Sequence, residues 1–110
     1  MPYKTKQVQN MLTKAELEMF SQSRRDAIGE HTRKQLDAKI TRTRKMRDKY
    51  RDLYQRQMVQ TQREEPSKRK KFGGENARTL VKADVMNSVL ERFEAQRKKL
   101  QAKAERKDKS

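Results

Sequence analysis

The chain has neither cysteine nor tryptophan, and its 110 residues include only 3 glycines, 2 prolines and 1 histidine. Without cysteine there can be no disulfide and no thiolate metal site, and His31 alone lacks the partner ligands that a transition metal requires. Because proline and glycine mark turns and interrupt helices, their scarcity favours long helices. Strand-like alternation of apolar residues is also missing, so we predict an all-α fold.

Apolar residues are scarce as well. They make up 31% of the chain, against 41% charged residues, whereas a typical globular domain is roughly half apolar and about a quarter charged. This composition excludes a large core and predicts one small domain with a narrow apolar seam between helices. No apolar run approaches the ~18 residues of a membrane span, and the N-terminus lacks the apolar stretch of a secretory signal. We expect a soluble protein with no membrane partner, cytoplasmic or, in a eukaryote, nuclear.

Two capping boxes mark helix starts. Thr13 with Glu16, and Thr32 with Gln35, have the spacing at which a threonine caps a helix and the residue three positions later reciprocates. We predict a first helix from about residue 14 to 23 or 27, a second over 33–62 and a third over 77–104. The predicted segments of this single domain are a flexible basic arm (1–11), the first and second helices (12–62), a basic connector with proline and glycine (63–76), and the third helix with a frayed basic tail (77–110).

The apolar residues of the long helices recur at spacings of three and four, as a helix seam requires. The inner positions are Leu36, Ile40, Thr43, Tyr50 and Tyr54 in the second helix, with Met46 and Leu53 beside them, and Ala83, Met86, Leu90, Phe93, Leu100 and Ala104 in the third, widened by Val81, Val85 and Val89. Two long helices joined by a loop that contains Gly73-Gly74 predict an antiparallel helical hairpin of coiled-coil type, with the short helix folded across it. The alternative is that the helices are held apart, each docked on a partner.

The net charge is +15, and it is concentrated in two places. Residues 33–56 hold ten basic and three acidic residues, and residues 97–109 hold seven basic and two acidic. At ~100° per residue, one group of cations falls opposite the apolar side of the second helix: Lys34, Arg42, Lys45, Lys49 and Arg56. Cations spaced along a helix can contact successive phosphates, so we predict that these residues bind nucleic acid. Arg47 lies within the apolar sector, and we predict that it is structural. Its charged end either reaches out to solvent or pairs with Glu16 or Glu18.

The connector carries a second basic group, "SKRKKFGG". Lys68, Arg69, Lys70 and Lys71 precede Phe72, and this order suits a loop that grips phosphates while the aromatic ring stacks on an exposed base. A solvated linker with Phe72 tucked against the end of the hairpin explains the same residues, so both interpretations stay open. Arg97 and Lys98, at the start of the basic C-terminal end, complete the predicted binding residues.

Small, basic, helical chains without cysteine are typical of ribosomal, ribosome-associated and nucleoid proteins. We therefore predict an RNA-binding protein, either a ribosome-associated factor or a structural component of a ribonucleoprotein. Two alternatives remain: a non-specific DNA-binding or nucleoid protein, and a helical adaptor or inhibitor that binds an acidic protein surface with apolar seams facing that partner. No arrangement of acid, base and nucleophile suggests catalysis, so we expect no enzyme activity, catalytic residue, cofactor or metal.

Overall fold

A computed structural model describes residues 3–63 and 66–109 of the chain, with side chains described over 3–60, at 62 and over 76–106. Five helices follow one another: α1 (Thr5–Val8), α2 (Lys14–Gln22), α3 (Arg25–Ile28), α4 (Arg33–Arg63) and α5 (Pro66–Lys109). No strand occurs in these described ranges, which confirms the all-α fold. None of the helices searched there combines the length and hydropathy that a bilayer crossing requires.

The two long helices, α4 and α5, pack against each other as an antiparallel hairpin. Their register is visible in the side-chain contacts, since Asp37 meets Arg97 near one end and Arg44 meets Glu94 further along. The described chain measures 66 × 25 × 20 Å along its principal axes, a rod rather than a sphere. The predicted hairpin is therefore confirmed.

The seam between α4 and α5 supplies most of the core. Its buried apolar side chains are Leu36, Ile40 and Tyr50 of α4, and Ala83, Val85, Met86, Val89, Leu90 and Phe93 of α5. Thr43 is also fully buried, as predicted. The seam narrows toward the end of α4, because Tyr54 is only half-buried and Leu53 is 39% exposed.

Both predicted capping boxes form. The Thr13 hydroxyl accepts from the Glu16 N–H at 3.2 Å, and Glu16 Oε1 accepts from the Thr13 N–H at 2.8 Å. Thr32 and Gln35 make the same reciprocal pair at the start of α4, at 3.2 and 2.9 Å. The first box directs α2 across the hairpin, where Phe20 is 1% exposed and contacts are made with both long helices.

The N-terminal segment differs from the flexible arm predicted over 1–11. Within the described part of that segment, Thr5–Val8 form α1, and Val8 is fully buried in the core. Tyr3 is half-buried and donates a hydrogen bond to the carboxylate of Asp84 on α5. The error has a physical reason. A four-residue helix with one valine is too short to show a repeating pattern of apolar residues, so the burial of Val8 depends on tertiary contacts alone.

The connector predicted over 63–76 is also wrong in its described part. Helix α5 begins at Pro66, eleven residues before the predicted start at 77, and continues through Gly73 and Gly74. Proline is favoured in the first turn of a helix, where its missing N–H would be unpaired in any case. Each glycine costs about 1 kcal/mol relative to alanine in a helix interior, which the hairpin accommodates. Asn76, the predicted cap, lies inside the helix and is 6% exposed.

Candidate nucleic-acid interface

The predicted binding residues of α4 share one solvent-facing side, which we call the outer face of α4. It consists of Lys34, Arg42, Lys45, Lys49 and Arg56, and all five side chains are exposed. With a rise of about 1.5 Å per residue, the set extends for roughly 33 Å along the helix axis. Helix packing fixes this arrangement, because burial of Leu36, Thr43 and Tyr50 at the seam turns the opposite side of α4 to solvent.

Two cations of the outer face have carboxylate partners. Lys49 Nζ lies 3.7 Å from Glu16 Oε2 and 4.7 Å from the centre of the Tyr50 ring. Arg56 pairs with Asp52, one turn before it, at 2.9 Å. The Arg56 pair is local and exposed, and the Lys49 pair joins α4 to α2 with its ammonium group largely exposed. Each cation is therefore only partly compensated.

The other three cations of the outer face are uncompensated. Lys34, Arg42 and Lys45 make no ion pair with any carboxylate in the part of the chain whose side chains are described. Lys34 and Lys45 are separated by eleven residues, or roughly 16 Å along the axis. These three side chains form the part of the predicted site that is free to meet an anion.

Two other carboxylates of the hairpin, Glu94 and Asp37, pair with arginines across the seam. Arg44 of α4 pairs with Glu94 of α5 at 3.3 Å. In a second pair the arginine is on α5 and the carboxylate on α4, since Arg97 pairs with Asp37. Arg97 was predicted to bind nucleic acid, and the structure places it in this cross-helix ion pair. Its neighbour Lys98 is exposed and has no ion pair among the described side chains.

Arg47 has the structural environment that its position predicts, but with different partners. Its side chain is 18% exposed, and its guanidinium contacts Asp48 at 3.1 Å and Asn87 Oδ1 at 3.2 Å. The predicted pairing with Glu16 or Glu18 is therefore wrong. Glu16 faces a different part of α4, because α2 crosses the hairpin at the level of Tyr50.

Glu16 and Tyr50 form a buried polar contact between α2 and α4. The Tyr50 hydroxyl donates to Glu16 Oε1 at 2.8 Å, and Glu16 is 2% exposed. Burial, followed by the hydrogen bond and the negative charge of Glu16, raises the pKa of Tyr50 well above its usual value of 10.0. The prediction that Tyr50 is an inner residue of the seam is confirmed by this burial.

The basic group at the start of α5 lies entirely outside the described side chains. Lys68, Arg69, Lys70, Lys71 and Phe72 belong by backbone to the first turns of α5, a helix rather than the predicted loop. Their side chains are not among those described, so their contact with phosphates or bases stays a prediction.

A further group of cations lies where the N-terminal segment meets α5, and the sequence did not predict it. Lys4, Arg24, Arg25 and Arg92 line one cleft, and Lys99 lines an adjoining one. Arg24, Arg25 and Arg92 belong to residues 14–30 and 76–96, whose charges nearly balance, so no local excess of cations marks these three arginines. Only the packing of three distant segments brings it together.

The one histidine has packing contacts. His31 Nε2 lies 3.0 Å from the carbonyl oxygen of Gln22, and its ring meets the edge of Phe93 with centroids 6.1 Å apart. Among the described residues there is no group of three or more histidine, aspartate or glutamate side chains that could hold a metal ion.

Comparison with protein-family models, curated proteins and solved structures found no match to the chain.

Proposed function

We propose that this protein binds RNA through phosphate contacts, as a ribosome-associated factor or a structural component of a ribonucleoprotein. The observation that carries the proposal is the division of charge on the hairpin. Carboxylates neutralise cations at the edges of the seam, as in Arg44–Glu94 and Arg97–Asp37. Lys34, Arg42 and Lys45 on the outer face of α4 have no described carboxylate beside them.

This arrangement supports polyanion binding more strongly than the net charge does. Surfaces that serve only solubility commonly intersperse both signs, whereas here the repulsion between the outer cations is left in place. A polyanion alongside α4 would remove that repulsion and release counterions from its own phosphates. Lys98, exposed beside the paired Arg97, extends the proposed contact to α5.

The shape of α4 favours backbone contact over reading of base edges. At 31 residues, or about 46 Å, α4 is much longer than the part of a recognition helix that enters a DNA major groove. The outer face contains lysine and arginine and no aromatic residue. It therefore suits a phosphate surface of fixed shape, such as structured RNA, whose helices are recognised largely through shape and backbone.

The test compares the triple variant K34Q/R42Q/K45Q with the wild type in binding a structured RNA at several salt concentrations. Each lost phosphate contact should reduce the slope of log affinity against log salt by about 0.7–0.9, so the triple variant should lose about 2 units of slope or more. The matched control is K6Q/K14Q/R78Q, which removes the same charge from exposed positions outside the outer face. The control should keep most of the slope.

The same experiment distinguishes the competing functions. A duplex DNA of equal length and polyglutamate of equal charge are titrated beside the RNA. Preference for RNA that depends on the outer face supports the proposal. Equal binding of all three polymers, or equal loss in the two triple variants, would reduce the interaction to bulk charge. Preference for DNA or for polyglutamate would favour a nucleoid protein or an adaptor instead.

A further inference from the structure

A cleft of about 200 Å³ lies between the N-terminal segment, the junction of α2 with α3, and α5. We call it the N-terminal cleft. Its lining residues are Tyr3, Lys4, Phe20, Arg24, Arg25 and Arg92. Four of these six side chains are cationic and none is acidic, although the chain as a whole has one acidic residue for every two basic ones.

The cationic surface continues beyond this cleft. An adjoining cleft of about 350 Å³ shares Arg25 and Arg92 and adds Lys99, again with no carboxylate in its described lining. Among the side chains that the structure describes, none from α4 lines either cleft. The surface is therefore separate in its residues from the outer face of α4.

Neutral groups hold two of the arginines in place. The guanidinium of Arg24 donates to the hydroxyl of Thr5, and Arg92 Nη1 donates to the carbonyl oxygen of Ser23 at 3.3 Å. Each contact uses one of the five N–H donors of a guanidinium and leaves its positive charge uncompensated. The arginines are thus positioned at the cleft with donors to spare.

The neighbouring carboxylates are not directed into the cleft. Asp84 accepts the hydrogen bond from Tyr3, which itself lines one side. Asp26 follows Arg25 on α3 but is exposed and lines neither cleft. The four cations therefore repel one another around a small space without a described acidic group inside it.

The walls of the cleft strengthen the field of these charges. Phe20 contributes an apolar wall and is itself 1% exposed, and apolar walls focus the field of charges that line a cleft. Arginine is suited to phosphate because its planar fork matches two oxygens at once. The volume of the cleft is below the ~300–1,000 Å³ of small-molecule pockets, which fits a single anionic group better than a whole nucleotide.

We propose that the N-terminal cleft binds a phosphate group, either free or carried by a nucleic acid. Lys4, Arg24, Arg25 and Arg92 surround the bound oxygens, and the anion relieves their mutual repulsion. Because the cleft links the N-terminal segment to α5, a bound phosphate also stabilises the packing of that segment on the hairpin. This site does not depend on the proposed function of the outer face of α4.

The first test titrates the full chain with inorganic phosphate. Binding is measured by the melting temperature of the protein and by ³¹P NMR. Sodium chloride at equal ionic strength controls for screening. Inorganic phosphate should raise the melting temperature of the wild type saturably. In K4Q/R25Q the phosphate concentration that gives half of the full rise in melting temperature should increase about tenfold or more, because two charged donors are lost.

The control K14Q/K103Q removes the same charge at exposed positions outside both clefts. It should respond to phosphate as the wild type does. Lys4 and Arg25 are exposed, so K4Q/R25Q should melt close to the wild type in chloride alone. A melting temperature that rises equally in chloride and phosphate, or an equal loss of response in both double variants, would overturn the proposal.

Short RNAs identify the source of the phosphate. Single strands with a 5′-phosphate or a 5′-hydroxyl are titrated against wild type and K4Q/R25Q. A preference for the 5′-phosphate that K4Q/R25Q abolishes would assign a terminal phosphate, and equal weakening of both strands would assign backbone phosphates. If only inorganic phosphate depends on Lys4 and Arg25, the ligand is free phosphate. Each of these results leaves the α4 experiment unaffected, so the two proposals fail separately.

Discussion

The contact between Tyr50 and Glu16 should contribute measurably to stability, and Tyr50→Phe removes it with little change in shape. The hydroxyl donates to a carboxylate oxygen at 2.8 Å, in a site where Glu16 is 2% and Tyr50 5% exposed. A hydrogen bond to a charged group contributes about 1.5–3 kcal/mol. The phenylalanine ring fills the same space, so the loss is that of the hydrogen bond and not of packing.

We therefore expect Tyr50→Phe to lower the free energy of unfolding by about 1.5–3 kcal/mol. At about 4 °C per kcal/mol for a domain of this size, the melting temperature should fall by roughly 6–12 °C. Urea unfolding followed by circular dichroism measures the change without adding salt. Tyr54→Phe is the matched control, because Tyr54 lies one turn later, is half-buried and makes no hydrogen bond to a described side chain.

The pH dependence supplies a second, independent readout. The pKa of Tyr50 is raised in the folded chain by burial and by Glu16, so the folded state keeps a proton that the unfolded state loses near pH 10. This stabilisation is fully present below pH 10 and is lost as the pH rises above that value. The difference in stability between wild type and Tyr50→Phe should therefore shrink from pH 9 to pH 12.

Two results would contradict this reasoning. One is a Tyr50→Phe variant within about 0.5 kcal/mol of both the wild type and Tyr54→Phe, the range of an ordinary surface substitution. The other is a pair of parallel stability curves above pH 10. Either would mean that Glu16 is hydrated in solution, and that the hydrogen bond it accepts from Tyr50 is not what holds α2 on the hairpin.

Three further predictions test the hairpin itself. Glu94→Gln should cost less than about 1 kcal/mol in urea unfolding, because its pair with Arg44 is exposed, and the cost should vanish near 1 M salt. Phe93→Ala should cost about 3–5 kcal/mol in the same assay, because Phe93 is fully buried in the seam. If α5 continues through Gly73 and Gly74, Gly73→Ala and Gly74→Ala should each raise the free energy of unfolding by about 1 kcal/mol, and circular dichroism should show more helix. If the helix breaks there, alanine should be neutral or destabilising.

The long helices could be predicted from sequence because their signals are local. Thr32 and Gln35 mark the start of α4, and the spacing of Leu36, Ile40 and Thr43 selects the side that is buried. A helix with a periodic apolar side needs a partner, and a second such helix later in a short chain provides it. The hairpin follows from these two facts without knowledge of any individual contact.

The N-terminal segment and the start of α5 could not be predicted in the same way. Val8 is fully buried in the core cluster, and no periodic pattern in its own segment indicates this. Near the hairpin turn, two local signals compete. Pro66 favours a helix start and Gly73-Gly74 favours a break, and the structure follows the proline.

For the candidate site, the direction of a side chain was more predictable than its partners. The helical wheel places Lys34, Arg42 and Lys45 toward solvent, which the structure confirms. Whether Arg97 is free depends on the register that brings Asp37 opposite it, and a sequence does not contain that register explicitly. The N-terminal cleft is a stronger case, because Arg24, Arg25 and Arg92 come from segments with no charge excess, and only the packing brings them to Lys4 of the basic N-terminal segment.

The distribution of the carboxylates links the stability of this hairpin to its proposed binding surface. A rod with a net charge of +15 must limit repulsion where its helices meet, and Glu94 and Asp37 do so by pairing with arginines of the opposite helix. The same carboxylates placed on the outer face of α4 would help stability equally little, since exposed pairs contribute about 0.2–1 kcal/mol, but they would repel a phosphate. Their position at the seam therefore leaves the folded state intact and the outer cations available to an anionic partner.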